Sequence, residues 1–281
     1  MRIDILDYSG FCGGVYRALY LLDKAVSKNS GKTIYLLGPI VHNKLVNDKY
    51  TKMGVEIIKT KDLDWLKDGD IVVVSAHGIS NSLREKMKRF NVIDTTCPFV
   101  LKNQNKIKES LHDEIIFIGK KKHSETIASC LDDERIKIVE SLDDLKGFSS
   151  SNYGIVFNQT TFNIEKLEEI QEEIKKLAPN YKIVNTMCET QIKIQNFLKD
   201  VNPKYNCLII VGDKDSNNAM SLYEISPYRK THFVSNLEDV KNIKIMDYDD
   251  IIIMGSASTP KELLKEIRQY IKNNAVKHQK V

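Results

Sequence analysis

The stretch Val92-Ile93-Asp94-Thr95-Thr96-Cys97 decides how this sequence is interpreted, because two other stretches repeat its pattern. Ile183-Val184-Asn185-Thr186-Met187-Cys188 matches it closely, and Ile5-Leu6-Asp7 leads to Cys12 after a short turn. In each stretch a hydrophobic pair and an Asp or Asn precede a cysteine. These cysteines divide the 281 residues into three nearly equal parts, so the pattern predicts a threefold internal repeat.

The similarity between the three parts continues beyond each cysteine. An apolar run ends in glycine in every part, and a polar residue follows four positions later: Gly38 and His42, Gly119 and His123, Gly212 and Ser216. A second run ends in a polar turn: Ser75-Ala76-His77-Gly78, Asn158-Gln159-Thr160-Thr161, Ser256-Ala257-Ser258-Thr259. Agreement at one motif is compatible with chance, but agreement at all three indicates a shared architecture.

Short runs rich in Ile and Val alternate with stretches of helical spacing, which is typical of a parallel sheet covered by helices on both faces. The predicted strands are Thr33–Leu37, Ile71–Val74, Glu114–Ile118, Gly154–Phe157, Cys207–Val211 and Asp250–Met254. Two predicted helices present apolar faces, one at Ile164, Leu167, Ile170, Ile174 and Leu177, the other at Leu263, Leu264, Ile267 and Ile271. The polar residues Lys272–Val281 predict a frayed tail.

The predicted fold class is therefore α/β, with three similar domains. The predicted domains are residues 1–96, 97–187 and 188–281, the last with a basic C-terminal tail. Ligands of parallel α/β sheets bind beyond the carboxyl ends of the strands. If the three parts pack around one axis, the cysteines and polar turns converge on a central cavity.

Composition excludes several classes of protein. The chain is 42% hydrophobic and 28% charged, with a net charge of +4, so it predicts neither disorder nor the strong positive field that nucleic acids or membrane surfaces attract. Apolar runs such as Ile251–Met254 are far shorter than the roughly 20 residues that span a bilayer. Asp4 and Asp7 do not fit a signal peptide. We expect a cytoplasmic protein.

The five cysteines predict ligands or free thiols, because an odd number spread over a long chain does not make a secreted disulfide framework. Cys12, Cys97 and Cys188 precede helices, whose N-termini stabilise thiolates. Cys130 and Cys207 have no repeated motif and fit buried packing residues. Three thiolates hold zinc in some proteins, although the usual close pairs are missing; around a 4Fe-4S cluster they leave one iron free as a Lewis acid. Residue type alone leaves the metal open.

The motifs resemble those of one family, the 4-hydroxy-3-methylbut-2-enyl diphosphate reductases of the non-mevalonate isoprenoid pathway. The resemblance extends over nearly the whole chain. It rests on Gly10-Phe11-Cys12-Gly13-Gly14-Val15, Val41-His42-Asn43, Ser75-Ala76-His77-Gly78, Thr96-Cys97-Pro98, His123-Ser124-Glu125, Gln159-Thr160-Thr161, Cys188, Ser216-Asn217-Asn218 and Ser258-Thr259-Pro260.

That resemblance implies a monomeric, pseudo-threefold trefoil of three α/β domains with a central 4Fe-4S cluster held by Cys12, Cys97 and Cys188. It also implies reductive loss of the substrate's hydroxyl group, giving isopentenyl and dimethylallyl diphosphates, with electrons from ferredoxin or flavodoxin. Hydroxyl, amide and imidazole groups suit a diphosphate. The candidate substrate-binding residues are His42, His77, His123, Thr160, Ser216, Asn217, Asn218 and Ser258.

Glu125 is the carboxylate of these loops that suits acid–base work, since a dry cavity can hold a carboxyl group protonated. Its alternative interpretation is an acid in the first turn of a helix, which the helix dipole favours. Together with Glu125, the candidate catalytic residues are Thr160 and His123.

The chain departs from the family pattern at three positions. Ser124 replaces a proline and is expected to loosen the loop of Glu125; Asn217 stands where a serine is common; Ile194 stands where an arginine is frequent. Two other classes of function remain open. One is a zinc-dependent hydrolase of a phosphorylated substrate, which metal analysis would reveal. The other is a non-enzymatic phosphometabolite or redox sensor with free thiols.

Overall fold

The computed structural model describes residues 1–199, 205–226 and 230–278, and the strands in this part of the chain are all parallel to their sheet neighbours. The strands are β1 Arg2–Ile5, β2 Ile34–Leu37, β3 Val55–Ile58, β4 Ile71–Val74, β5 Asn91–Asp94, β6 Glu114–Ile118, β7 Ile136–Val139, β8 Gly154–Asn158, β9 Tyr181–Ile183, β10 Cys207–Val211, β11 Thr231–Val234 and β12 Asp250–Gly255.

Helices connect these strands, as parallel pairing requires. They are α1 Gly13–Lys28, α2 Lys44–Lys52, α3 Asn81–Lys86, α4 Pro98–Lys108, α5 Ser124–Cys130, α6 Ile164–Leu177, α7 Glu189–Lys199, α8 Asn217–Glu224, α9 Leu237–Lys241 and α10 Lys261–His278. Short 3₁₀ turns lie at Thr60–Trp65, Met87–Arg89, Leu142–Leu145 and Ile245–Asp247. Among the described helices, none has the length and apolar character that a membrane crossing needs.

Three sheets of four strands form, and they share one order. The orders are β3-β2-β4-β5, β7-β6-β8-β9 and, written in the same sense, β11-β10-β12-β1. The fourth strand of each sheet, β5, β9 or β1, leads along the chain to one of the three repeated cysteines. The predicted class of three similar parallel α/β parts is thus confirmed, whereas the domain boundaries stay a prediction.

Contacts divide the chain into two compact units. The first comprises Met1–Tyr16, Val41–Asp48 and Ile192–Val281, and it contains the sheet of β1. The second comprises Arg17–Ile40 and Lys49–Gln191, and it contains the other two sheets.

The core lies between the sheets and their helices. The run Ile71–Val74 is buried throughout, because the central strand β4 is covered on both faces. On α6 the predicted apolar face is buried at Ile164, Leu167, Ile170 and Ile174, and on α10 at Leu263, Leu264, Ile267 and Ile271.

The predicted frayed tail at Lys272–Val281 is wrong as far as His278. The helix α10 continues to that residue, and residues 279–281 lie outside the described part. Buried Ile271 anchors the last turns, and the Asn274 side-chain amide donates to the Tyr270 carbonyl at 2.9 Å. Loss of apolar periodicity marks the end of packing, but it does not end a helix that lacks Gly or Pro.

Candidate functional site

The three repeated cysteines share one backbone hydrogen bond. The amide of each cysteine donates to a carbonyl in the turn after a central strand, two residues beyond the end of β4, β8 or β12. These bonds are Cys97 N to Ala76 O at 2.9 Å, Cys188 N to Thr160 O at 2.9 Å and Cys12 N to Ala257 O at 3.3 Å. Each cysteine is thereby fixed beside a polar turn at the carboxyl end of its sheet, where α/β proteins bind ligands.

The five cysteines differ in their surroundings. Cys12, Cys97 and Cys188 form no disulfide bond and are partly exposed, and each directly precedes a helix. Cys130 and Cys207 are buried. Burial raises the pKa of the Cys130 thiol far above its ordinary value and that of Cys207 to about 12, so neither favours the thiolate that metals bind. The division into three candidate ligands and two packing residues is consistent with this contrast.

The donor set fits an iron–sulfur cluster. Within the described residues, no three His, Cys, Asp or Glu side chains converge on a point where a single metal ion would sit. Each thiolate of a 4Fe-4S cluster binds a different iron, so its ligands are arranged around the cluster and do not meet at one atom. Partly exposed thiols at helix N-termini suit that role.

Asp94 organises the loop that carries Cys97. Its carboxylate accepts from the Thr96 amide at 2.9 Å, from the Thr96 hydroxyl at 2.5 Å and from Arg84 at 2.5 Å. Arg17 donates to the Thr96 carbonyl at 3.0 Å. Burial disfavours the charged form of Asp94, but the donors on Thr96 and Arg84 outweigh it and lower the Asp94 pKa. Hydrogen bonds to the Asp94 carboxylate and to the Thr96 carbonyl therefore fix the loop before Cys97.

Asn185 takes the same place before Cys188. Its side-chain oxygen accepts from the Met187 amide at 2.9 Å, just as Asp94 accepts from Thr96 two residues on. The sequence repeat contains both residues, three positions before their cysteines, and this spacing was the available signal. Their role in shaping the loops was nevertheless missed.

Replacing Asp94 with alanine is expected to lower the free energy of unfolding by about 1–3 kcal/mol, because it leaves Arg84 and Thr96 donors without their acceptor. Urea denaturation of the metal-free protein measures this. The matched control is Asp68→Ala, since Asp68 is 78% exposed in its ion pair with Arg89 and should cost less than about 1 kcal/mol. Equal losses in the two variants would contradict the role given to Asp94.

Glu125 and Thr160 form a buried pair in the second unit. The Thr160 amide donates to one carboxyl oxygen of Glu125 at 2.8 Å, and the Thr160 hydroxyl pairs with the other oxygen at 2.8 Å. Glu125 is 2% exposed. Burial raises its pKa to about 7, although both groups of Thr160 act in the opposite direction. Glu125 can therefore hold a proton near neutral pH.

His123 caps the helix that carries Glu125. Its Nδ1 accepts from the Glu125 amide at 3.1 Å, so in the neutral ring the proton resides on Nε2. The rings of His77 and His123 meet edge to face with centroids 5.9 Å apart, and Ser75 Oγ lies 3.3 Å from His77 Nδ1. The structure thus brings four predicted residues of the second unit together: His77, His123, Glu125 and Thr160.

The first unit gathers a second set of predicted residues. The Ser258 hydroxyl donates to the His42 carbonyl at 3.1 Å and lies 3.4 Å from the Ser216 hydroxyl. The Asn218 side chain accepts from the Ala257 amide at 2.9 Å. Asn217 begins α8, and Ser216 caps that helix. The turns after β10 and β12 thus form one polar cluster with His42.

His42 is held in its neutral form. Burial lowers its pKa, whereas the carboxylates of Asp215 and Asp213 act in the opposite direction. A neutral imidazole retains one N–H that can donate to an anion.

Two departures from the family pattern have structural outcomes. Ser124 occupies the first position of α5, where proline is favoured, and the helix still forms with its cap on His123. Ile194 is 1% exposed and packs with Leu198 and Leu208. Ile194 therefore makes apolar contacts where the family pattern has an arginine.

Known proteins are similar to this chain over nearly its whole length. A family model described as LytB protein matches residues 3–272. The 4-hydroxy-3-methylbut-2-enyl diphosphate reductase of Thermoanaerobacter sp. (strain X514) is 31% identical over 281 residues, which cover 97% of each chain. The enzyme of the same name from Clostridium acetobutylicum is 31% identical over 290 residues, which cover 99% of this chain and 44% of that one.

Solved structures are similar as well. The E-1-hydroxy-2-methyl-but-2-enyl-4-diphosphate reductase from Plasmodium falciparum matches with a TM-score of 0.84 and 28% identity, over 95% of this chain and 87% of that chain. A second reductase, described as the terminal enzyme of the non-mevalonate pathway, gives a TM-score of 0.70 over 97% and 100% of the two chains. The chain belongs to the LytB protein family, and it is an enzyme of the oxidoreductase class.

Proposed function

We propose that this chain reduces 4-hydroxy-3-methylbut-2-enyl diphosphate to isopentenyl and dimethylallyl diphosphates with loss of water. One observation carries the proposal. Thr160 links the proton-holding carboxyl group of Glu125 to the backbone of Cys188: its amide and hydroxyl bond Glu125, and its carbonyl accepts from the Cys188 amide at 2.9 Å. A proton donor and a candidate cluster ligand thus share one turn.

Cys12, Cys97 and Cys188 would hold a 4Fe-4S cluster. When bound, the cluster supplies electrons and a Lewis-acidic iron for the hydroxyl group. The other residues of the site bind and protonate the substrate.

The proposed substrate-binding residues carry groups that suit a diphosphate. His42, His77 and His123 can donate from imidazole N–H groups, and the hydroxyls of Thr160, Ser216 and Ser258 add donors of another type. The amides of Asn217 and Asn218 complete the proposed set.

Glu125 supplies a proton in this proposal. Loss of a hydroxyl group as water requires protonation, and a carboxyl group whose pKa burial raises to about 7 is partly protonated at neutral pH. Thr160 positions that carboxyl group, and its hydroxyl can pass the proton on. His123 orients the start of the helix that bears Glu125.

The reaction consumes two electrons and two protons for each substrate molecule. We propose ferredoxin or flavodoxin as the external donor and a monomer as the working form. Turnover of the diphosphate by anaerobically purified protein with reduced methyl viologen tests the function. Hydrolysis of a phosphorylated substrate by a zinc-loaded protein would overturn it.

Replacing His42 or Ser258 with alanine is expected to weaken binding of the diphosphate substrate by about 1–3 kcal/mol, because each removes a donor to a charged group. Anaerobic calorimetry of the cluster-loaded protein measures the affinity. Ser27→Ala is the control, since Ser27 is an exposed residue that bonds only its own helix at Lys24. Unchanged affinity in both site variants would mean that the diphosphate binds elsewhere.

A further inference from the structure

We propose that the exposed face of α4 is the docking surface for an acidic protein that carries single electrons, such as ferredoxin. This inference rests on the proposed function, which needs an external source of electrons. The docking surface is defined by Phe99, Lys102 and Lys106, which are three and four positions apart and therefore lie on one side of the helix.

The helix α4 starts at a candidate cluster ligand. Cys97 is its N-cap residue, Pro98 is its first residue, and the Leu101 amide donates to the Cys97 carbonyl at 2.9 Å. A protein bound to the first turns of α4 is therefore separated from the Cys97 thiol by very few bonds. Docking at these turns is therefore enough to bring a carrier close to the proposed cluster.

One large apolar side chain on this face is open to solvent. Phe99 is 49% exposed and precedes Lys102 by three positions, while Val100, Asn103 and Ile107 are buried on the other side of the helix. Aromatic side chains are enriched in contact surfaces for other proteins.

The charge of α4 is entirely positive. Its eleven residues include Lys102, Lys106 and Lys108 but no Asp or Glu. Lysines on α6 are different, because Lys175 and Lys176 pair with Glu172 and Glu173 one turn away. The helix dipole accounts for lysines in the last turn of α4, but not for Lys102 in its middle. Glu109 follows the helix as its C-cap residue, but Lys102 and Lys106 leave this face with a net positive charge, which attracts an acidic partner and raises its association rate.

The docking surface is also held firmly against the rest of its unit. Asp94 and Arg17 fix Thr96, which precedes Cys97, and the Asn103 amide donates to the Asn158 carbonyl at 2.9 Å. A rigid face of one three-turn helix suits the small, short-lived contacts of electron-transfer proteins.

The electron balance sets how often the carrier must bind. Each substrate molecule takes up two electrons and two protons; the C–O bond breaks, a C–H bond forms and the oxygen leaves as water. Two reduced carriers each give up one electron. The oxidised carrier must leave before the next one binds, so a weak electrostatic contact is favoured over a tight one.

The test compares two electron sources in one cluster-loaded protein. The Lys102→Glu/Lys106→Glu double variant and Phe99→Ser are assayed with reduced ferredoxin and with reduced methyl viologen. We expect kcat/KM for ferredoxin to fall at least about tenfold in the charge-reversed variant, with loss of its salt dependence. Viologen-driven turnover, iron content and substrate affinity should not fall. The control is Lys175→Glu/Lys176→Glu on α6, which changes the charge equally and should retain ferredoxin-driven turnover.

Several results would overturn the docking surface. One is unchanged ferredoxin-driven turnover in both α4 variants. Another is an equal fall of ferredoxin-driven turnover in the Lys175→Glu/Lys176→Glu control. An equal fall with ferredoxin and viologen would mean that α4 acts through the fold or the cluster. If the wild-type protein reduced no substrate with either donor, the proposed function itself would fail, and the docking surface with it.

Discussion

Replacing Glu125 with glutamine is expected to lower turnover of the diphosphate substrate at least about 10²-fold, the lower range for a general acid. Glutamine keeps the volume of the side chain and an oxygen that can accept from Thr160, so the fold, the cluster and substrate binding should persist. What it lacks is a carboxylic proton. Single-turnover measurements with a pre-reduced protein isolate this step from electron supply.

The control for Glu125 is Glu165→Gln. Both glutamates are second residues of helices, α5 and α6, but Glu125 is buried and Glu165 is exposed. If Glu125 served only the helix dipole, the two variants would behave alike. Near-normal turnover of Glu125→Gln would point to water or Thr160 as the proton source.

The dependence of turnover on pH tests the role of Glu125 independently. Burial raises the pKa of Glu125 to about 7, so the protonated form predominates below that pH. Turnover of the wild-type protein should fall as the pH rises through about 7, by about tenfold for each further unit. The residual turnover of Glu125→Gln should not fall in this way as the pH rises.

Single alanine variants of the five cysteines are expected to fall into two classes when iron, sulfide and turnover are measured after anaerobic purification. Loss of Cys12, Cys97 or Cys188 should remove the cluster or leave a degraded one, because metal binding depends on every ligand. Loss of Cys130 or Cys207 should retain it and cost about 1–2 kcal/mol of unfolding free energy, since only a small buried group is removed.

The two buried cysteines are the internal controls of this series. They test whether any loss of a thiol disturbs the protein, and unlike the other three cysteines they are buried. A full cluster in one of the three, or a missing cluster in one of the two, would refute the threefold interpretation of the sequence.

The sequence predicted central strands well and missed the edges. The six predicted strands correspond to β2, β4, β6, β8, β10 and β12, the two inner strands of each sheet. Inner strands are buried on both faces and appear as continuous Ile and Val runs, such as Ile71–Val74. The outer strand β5, Asn91–Asp94, is partly or fully exposed at every residue, so its pattern resembles a loop.

The place of β1 follows from pairing rather than from local pattern. Arg2–Ile5 pairs with Asp250–Ile253 at the far end of the chain, and thereby fills the position that β5 and β9 fill in the other sheets. Periodicity within a short window contains no information about such a distant partner.

The candidate site was predicted as a set of residues but not as contacts. The sequence indicated Thr160 by its repeated turn and Glu125 as the carboxylate next to the His123 motif, whereas their buried pairing joins residues 35 positions apart. The raised pKa of Glu125 depends on that burial, and the identity of a residue does not show whether its side chain is buried. The hydrogen bond between Ser258 and His42 joins residues 216 positions apart, so the sequence did not predict it either.

The most direct test of the central claim is the iron and acid-labile sulfide content of the anaerobically purified wild-type protein, measured on the sample whose reductase turnover is followed with reduced viologen. The account predicts about four irons and four sulfides per chain, together with formation of isopentenyl and dimethylallyl diphosphates. Stoichiometric zinc without sulfide, or metal-free thiols in a protein that binds the diphosphate without reducing it, would contradict it.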